Sequence, residues 1–194
     1  MKIGLYFGSF NPVHVGHMII ANHMAQSTDL DKLWMVVSPH NPHKNKKSLA
    51  KNHDRLHLVI LALNDNPKIE ASDIEFNLPQ PSYTIDTLTY LKEKYPHHEF
   101  SLIMGGDNLA SLHQWKNYKM ILEHHDIHVY KRPTHELPEL AQHPRVKISE
   151  APMLDISSSY IRKLIKAGKS IEYLVPDKVF HYLKDSSMYH NLDS

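Results

Sequence analysis

The chain has 194 residues, with 22 Lys and Arg against 21 Asp and Glu, 17 His and no Cys. A chain of this length fits one domain with a sizeable core, but not two. The near-balance of charge argues against a general nucleic-acid binder and a polybasic membrane anchor, and the lack of cysteine excludes disulfides and thiolate metal sites.

No stretch of the chain has the pattern of a targeting or membrane segment. The apolar run that opens it is too short for a signal peptide, and no later stretch approaches the roughly 20 apolar residues of a membrane span. We therefore expect a cytoplasmic protein whose single domain occupies residues 1–185. The remaining tail, 186–194, is polar and is expected to fray.

Apolar runs rich in β-branched and aromatic residues alternate with segments of helical period. The predicted strands are 3–7, 33–38, 69–72, 100–105, 127–130 and 146–149. The predicted helices are 18–26, 52–63, 84–94 and 109–122, the last with a break near 115–118. This alternation predicts an α/β fold with a doubly wound parallel sheet, in which ligands bind beyond the carboxyl ends of the strands.

The first predicted strand and helix are joined by residues 8–17, Gly-Ser-Phe-Asn-Pro-Val-His-Val-Gly-His. A strand that turns directly into a helix leaves unpaired backbone N–H groups at the positive end of the helix dipole, which suits a phosphate. If the helix begins near Val15, His14 and His17 face the same side. Gly16 has no side chain to keep a ligand off the backbone. The alternative is that both histidines only cap the helix.

The pattern Gly8-x-Phe10-x-Pro12-x-His14-x-Gly16-His17 resembles the signature of the HxGH nucleotidylyltransferases. These enzymes move a nucleoside monophosphate from ATP or CTP onto an acceptor phosphate and release pyrophosphate. The resemblance implies a Rossmann-like nucleotidylyltransferase fold, with His17 donating to the α-phosphate and His14 holding the nucleotide phosphates. The residues that it places at the nucleotide are Gly8, Ser9, Phe10 and Gly16.

That chemistry suits these residue types. In-line transfer at a phosphate requires mainly positioning and positive electrostatics, so no serine or cysteine nucleophile is needed. One departure from the family is visible, because relatives commonly carry two glycines where this chain has Phe7 and Gly8. The site is preserved if the ring of Phe7 points into the core.

A second motif, Asp155-Ile-Ser-Ser-Ser-Tyr-Ile-Arg162, predicts a helix that runs to Ala167. Serines in the first turn with an arginine one turn on can bind phosphate, although an ordinary serine cap with a solvated arginine is the alternative. The stretch resembles the family's second signature. That resemblance implies that Ser157, Ser158 and Arg162 hold the β- and γ-phosphates of ATP.

The loop after the second strand contains Pro42-His-Lys44, which resembles the family's phosphate-contacting loop and implies that Lys44 contacts phosphate. Arg55 falls where relatives also carry an arginine at a helix start, and we interpret it as structural. His53 and His57 are spaced to share a metal ion on one helix face. No acidic partner completes a ligand set, so we expect no metal site there.

Three further stretches resemble the nicotinate-mononucleotide enzymes of the superfamily. They are Pro81-Ser-Tyr-Thr-Ile-Asp-Thr-Leu88, Gly105-Gly-Asp107 with Trp115, and Arg132-Pro133. The resemblance implies that Gly105 and Asp107 bind ATP, with Asp107 at its ribose. Thr84, Trp115 and Arg132 would line the acceptor pocket, where Trp115 stacks on the pyridine ring. The alternatives are a core or surface anchor for the tryptophan and a surface charge for the arginine.

Together these resemblances cover the chain from Lys2 to about Lys184. They imply transfer of AMP from ATP to nicotinate mononucleotide, with Mg²⁺ bridging the ATP phosphates. The same chemistry on nicotinamide mononucleotide, or on phosphopantetheine, stays open as an alternative. So does a non-catalytic nucleotide- or metal-binding protein. The sequence carries no signal for the oligomeric state.

Overall fold

The computed structural model describes residues 1–39, 49–131, 136–152 and 154–190. Within them six parallel strands form one sheet in the order β3-β2-β1-β4-β5-β6. The strands are β1 (Lys2–Gly8), β2 (Lys32–Val37), β3 (Ile69–Ser72), β4 (Glu99–Gly105), β5 (Ile127–Tyr130) and β6 (Val146–Ser149). The strand order reverses between β1 and β4, which opens a crevice beyond their carboxyl ends. The predicted α/β, doubly wound parallel sheet is confirmed.

Helices cover both faces of this sheet. Those in the described ranges are α1 (Val15–Ser27), α2 (Asn52–Leu63), α3 (Thr84–Lys94), α4 (Gly106–Ser111), α5 (Tyr118–His124), α6 (Ser158–Lys166) and α7 (Asp177–Lys184). α2 and α3 have the predicted limits, and the predicted break near 115–118 separates α4 and a short 3₁₀ turn (Leu112–Gln114) from α5. In the part of the chain that the structure describes, no helix is both long and apolar enough to cross a bilayer.

The core consists of two apolar clusters, one on each face of the sheet. Ile3 and Leu5 point into one cluster, and Tyr6 points into the other. This alternation follows from the two-residue period of a strand. Both faces of the central strands are therefore buried, which explains why β1, β2 and β4 are mostly apolar, whereas the edge strands β3 and β6 carry exposed Glu70 and Lys147.

The C-terminal part of the chain differs from the sequence-based expectation. No helix was predicted at α7, although Val179 and Leu183, one turn apart, are 0 % and 4 % exposed. The tail was expected to fray from Ser186 onward, and for its described residues this was wrong. Tyr189 is only 1 % exposed and belongs to the same apolar cluster as Tyr6. One buried aromatic side chain is enough to hold a short polar segment against the domain.

Candidate active site

The β1–α1 connection lies at the crevice between β1 and β4. Gly8 ends β1, and α1 begins at Val15, three residues before the predicted segment 18–26, with His14 at the N-cap. The rings of His14 and His17 stack with their centroids 3.7 Å apart and their planes 27° apart. The two imidazoles therefore lie together at the start of the helix, on the side that the three-residue spacing predicted.

His17 is held in one orientation by its neighbours. The backbone N–H of His14 donates to Nδ1 of His17 at 3.2 Å. The ring of Phe10 meets the His17 ring edge-on, with 5.0 Å between centroids. Because Nδ1 accepts a hydrogen bond, the neutral imidazole carries its proton on Nε2. His17 is only half-buried, so Nε2–H is a donor that can reach a ligand in the crevice.

His14 lies deeper than His17. It is 6 % exposed, and burial lowers its pKa from 6.5 to about 4, so the ring is neutral near pH 7. Its Nδ1 is buried and has no hydrogen-bond partner among the described residues. A Cβ at Gly16 would lie 3.1 Å from the His14 ring, so the glycine lets this ring pack against the helix.

The pKa of His14 leads to a prediction for stability. Above pH 6.5 both the folded and the unfolded forms are neutral, so the full stability is present. Between pH 6.5 and about 4 the unfolded chain takes up a proton that buried His14 does not. The free energy of unfolding therefore decreases as the pH is lowered through this range. We expect the His14→Gln protein to lack this part of the loss, on the order of 2–3 kcal/mol. Denaturant unfolding of both proteins at neutral and acid pH measures it, and parallel pH dependence in the two proteins would contradict the assignment.

The expected set of free backbone N–H groups is largely absent, and this part of the prediction was wrong. The N–H of Val15 donates to Leu174 O at 3.0 Å, and the N–H of His17 donates to His14 O at 3.0 Å. Gly16 is the first-turn residue whose N–H has no such bond among the described residues. The tertiary fold thus uses the N–H of Val15 to anchor a distant segment, and of the first-turn N–H groups in the described chain that of Gly16 is left to bind a ligand.

Two buried arginines hold the turn between β1 and α1. Arg55 is 0 % exposed and donates through Nη1 to the carbonyl oxygens of Ser9 and Ser38. Arg162 is 6 % exposed and donates through Nη1 to Asn11 O at 2.8 Å. Neither arginine forms an ion pair with a carboxylate of the described chain. Two guanidinium charges therefore lie directly behind the turn.

The second motif packs on the first. Ser157 caps α6 by accepting a hydrogen bond from the Tyr160 N–H at 3.2 Å, as expected for an ordinary serine cap. Ser158 donates to Pro12 O at 2.9 Å, and Arg162 Nη2 donates to Ser159 Oγ at 3.2 Å. The structure thus brings the two predicted motifs together. Side chains of the second motif donate hydrogen bonds to carbonyl oxygens of the first.

The end of β4 forms the other wall of the crevice. Gly105 is buried and Asp107, in the first turn of α4, is exposed. A Cβ on Gly105 would collide with the Asp107 carboxylate and would lie 3.1 Å from the Tyr130 ring. A larger residue here would displace the Asp107 carboxylate and press on the Tyr130 ring, so glycine keeps both in place. The predicted ATP-binding pair lies at the carboxyl edge of the sheet.

The segments that contain Thr84 and Trp115, which were predicted to line the acceptor pocket, contact each other. Trp115 is half-buried at the end of the 3₁₀ turn and packs against the core, and Thr84 is the first residue of α3. Lys116 contacts Asp86 at 2.8 Å and lies 4.8 Å from the centroid of the Tyr83 ring. The residue after the tryptophan is thus bound to residues on both sides of Thr84.

The remaining predicted site residues either lie outside the described part of the chain or pack within the core or the turn. Lys44 and Arg132 lie outside the described residues. Phe10 is 1 % exposed, so its ring supports His17 from within the core. Phe7 lies within β1 and packs against the apolar cluster that contains Leu5, which is the orientation that preserves the site. Ser9 is half-buried in the turn held by Arg55.

The sequence reasoning missed two buried polar side chains near the site. Asn11 is 2 % exposed and its Oδ1 accepts from the Ala50 N–H at 3.1 Å. Glu75 is 2 % exposed and accepts from the Thr87 hydroxyl at 2.9 Å, which ties the 3₁₀ turn after β3 to α3. Burial raises the pKa of Glu75. Asn11 lies inside the first motif and could have been singled out there, whereas nothing near Glu75 in the sequence marks it as buried.

Among the residues with described positions, no group of three or more His, Cys, Asp or Glu side chains could hold a metal ion. Apart from the exposed carboxylate of Asp107, the site residues described above carry imidazole, hydroxyl and guanidinium groups. These are donors to anions, so the arrangement suits a phosphorylated ligand.

The model of the cytidylyltransferase-like family matches residues 5–164, and the chain belongs to this family. Its site is therefore that of a nucleotidyltransferase. A Flavobacterium johnsoniae protein named "Probable nicotinate-nucleotide adenylyltransferase" is 58% identical over 97% of this chain and 99% of its own length. A Bacteroides fragilis protein of the same name is 41% identical over 92% and 89%. Within the family, the chain belongs with the nicotinate-nucleotide adenylyltransferases, as the motifs predicted.

Solved structures show the same fold. The Plasmodium falciparum nicotinic acid mononucleotide adenylyltransferase complexed with NaAD superposes with a TM-score of 0.81 at 23% identity, over 97% of both chains. The crystal structure of a Vibrio parahaemolyticus protein named "Putative Nicotinate-nucleotide Adenylyltransferase" gives a TM-score of 0.72 at 20% identity, over 95% of this chain and 99% of its own. The Rossmann-like nucleotidylyltransferase fold expected from the resemblance is confirmed.

Proposed function

We propose that this protein transfers AMP from ATP to nicotinate mononucleotide, which yields nicotinate adenine dinucleotide and pyrophosphate for NAD biosynthesis. The observation that carries the proposal is the stacked pair His14 and His17 at the start of α1. It lies where the strand order reverses, and relatives of the whole chain are named for this activity.

The transfer requires that the acceptor phosphate attack the α-phosphorus of ATP in line with the leaving pyrophosphate. In our proposal Nε2–H of His17 donates to an α-phosphate oxygen as that phosphorus becomes five-coordinate. A preorganised donor of this kind stabilises the transition state without reorganising during the reaction. The hydrogen bond from His14 N–H to Nδ1 keeps the proton on the nitrogen that faces the crevice.

His14 contributes as a neutral ring beside the phosphates, since its pKa is lowered to about 4. The β- and γ-phosphates would bind where α6 begins, near Ser157, Ser158 and Arg162, with Lys44 approaching from the loop after β2. Arg55 and Arg162 place positive charge behind the turn. A buried charge is weakly screened, so it favours the phosphates of the substrate and of the leaving pyrophosphate.

ATP would extend along the crevice with its ribose at Asp107 and its base beyond Gly105. The acceptor ring would stack on Trp115 near the start of α3, with Thr84 and Arg132 beside it. The contact between Lys116 and Asp86 holds the two segments in register. This arrangement separates the groups that read the acceptor from those that hold the triphosphate.

Mg²⁺ would enter with ATP and would lower the negative charge of its phosphates. In sites of this kind Mg²⁺ is held mainly by the substrate phosphates and water, so few protein carboxylates are needed. Asp107, exposed in the first turn of α4, would orient a water bound to the ion.

Turnover with a panel of acceptors tests the proposal. The protein is incubated with Mg²⁺, ATP or CTP, and each of nicotinate mononucleotide, nicotinamide mononucleotide and phosphopantetheine, and the product is identified by mass. We expect the adenine dinucleotide of nicotinate with release of pyrophosphate. A product from another acceptor alone would keep the chemistry and overturn the substrate, and binding of ATP without any product would overturn both.

Trp115 provides a second test of the acceptor pocket. Stacking on a ring contributes roughly 1 to 3 kcal/mol by alanine substitution, so Trp115→Ala should raise KM for the mononucleotide about tenfold or more. KM for ATP should change little. Tyr118→Ala is the matched control, because Tyr118 packs against the same cluster three residues further on. Equal changes for both substrates, or equal changes in both variants, would assign Trp115 to packing.

A further inference from the structure

One side chain ties the C-terminal segment to the apolar cluster beneath the first motif. Tyr189 is 1 % exposed and lies in the apolar cluster that contains Phe10, Val13 and Ile161. These residues belong to the first motif and to α6. The family model ends at residue 164, so Tyr189 lies outside it. Its hydroxyl is buried and has no hydrogen-bond partner among the described residues.

The two arginines behind the turn are unusual in having carbonyl oxygens as their main partners. Arg55 binds Ser9 O, Ser38 O and Ala50 O, and Arg162 binds Asn11 O. No described carboxylate neutralises either guanidinium. Their charge is therefore available to a bound polyphosphate, provided that water and counter-ions are kept away from them.

Tyr189 lies within electrostatic reach of both guanidiniums. Burial raises the pKa of its phenol, so the side chain is neutral at any physiological pH. A neutral ring in this place excludes water without cancelling the positive charge. An acidic side chain there would neutralise the arginines, and a small one would admit solvent.

We propose that Tyr189 is a positioning residue for the triphosphate. Its ring closes the rear of the site, so that Arg55 and Arg162 keep their hydrogen bonds to the turn and act on the phosphates with little screening. This inference rests on the proposed function only in placing the ATP phosphates at the turn. It makes the C-terminal segment a part of the catalytic unit.

The test compares Tyr189→Ala with Tyr189→Phe and with Leu183→Ala. Leu183 is 4 % exposed in the same cluster, and no interaction with either guanidinium is found for it, so it controls for lost packing. ATP binding by calorimetry, KM for both substrates and unfolding are measured at about 50 mM and about 300 mM salt, where the Debye lengths differ more than twofold.

Tyr189→Ala is expected to raise Kd and KM for ATP about fivefold or more and to make both steeper functions of salt, because water and ions then reach the guanidiniums. KM for the acceptor should stay near that of the unsubstituted protein. Tyr189→Phe should behave like the unsubstituted protein, since the ring is kept. Leu183→Ala should lose stability without a specific effect on ATP.

Two results would overturn the proposal. One is a folded Tyr189→Ala protein whose ATP binding and salt dependence match those of Leu183→Ala. The other is a Tyr189→Phe protein as impaired as Tyr189→Ala, which would assign the effect to the hydroxyl. If Tyr189→Ala does not fold, Tyr189→Leu is judged by the same criteria. ATP calorimetry decides the matter even if nicotinate mononucleotide proves not to be the acceptor.

Discussion

Replacing His17 with alanine is expected to lower kcat by about a hundredfold or more, the effect of removing one transition-state donor. The fold and ATP binding should be kept, because the His17 ring is only half-buried and its backbone N–H remains bonded to His14 O. The structure makes the expectation specific, since the tautomer set by His14 N–H leaves Nε2–H as the donor.

Single-turnover kinetics with ATP binding measured separately checks this prediction. His23→Ala is the control, because His23 lies on the same helix six residues further from the turn and should be replaceable without loss of rate. A folded His17→Ala protein that turns over at the rate of the unsubstituted enzyme would show that His17 does not donate to the α-phosphate. The donor would then have to be sought at Lys44 or at the N–H of Gly16.

Arg162→Lys is expected to weaken the use of ATP, and of pyrophosphate in the reverse reaction, by about ten- to a hundredfold. A charge-assisted hydrogen bond contributes about 1.5 to 3 kcal/mol, and an ammonium cannot reproduce a planar guanidinium. In this structure Arg162 holds Asn11 O and Ser159 Oγ at the same time. A lysine can satisfy one of them, so the turn loses support and the phosphates lose a donor.

Steady-state kinetics in both directions measures the effect, with KM for the acceptor mononucleotide expected to change little. Lys163→Gln serves as the control, because Lys163 is the exposed neighbour on α6 and its loss removes a charge without touching the turn. Normal pyrophosphate KM and normal kcat in Arg162→Lys would mean that α6 begins with an ordinary cap. The triphosphate site would then have to lie elsewhere along the crevice.

The elements predicted with correct limits are those whose signals are local. α2 and α3 have an uninterrupted helical period, and β5 and β6 are short apolar runs between polar turns. The start of α1 at Val15 follows from the turn residues before it. α7 was missed because eight residues are shorter than the window over which a helical period is recognised, although Val179 and Leu183 lie one turn apart and Pro176 and Asp177 mark its start.

Within the site, the sequence located His14 and His17 correctly relative to each other, since three residues along one helix determine their relation. It did not reveal that Val15 N–H would be taken by Leu174 O. Nor did it reveal what holds the turn. Arg162 reaches Asn11 across 151 residues, and Arg55 reaches Ser9 across 46.

By itself the sequence determined the alternation of strands and helices, the two motifs and the family to which they belong. These depend on periodicity, turn residues and residue types at short spacing. Only the tertiary structure decided that the arginines lie beneath the turn without a described carboxylate partner and that Tyr189 is buried in the cluster that contains Phe10 and Ile161. The physical reason is that burial and ion pairing depend on which segments the sheet order brings together, and contacts between distant segments leave no periodic trace in the chain.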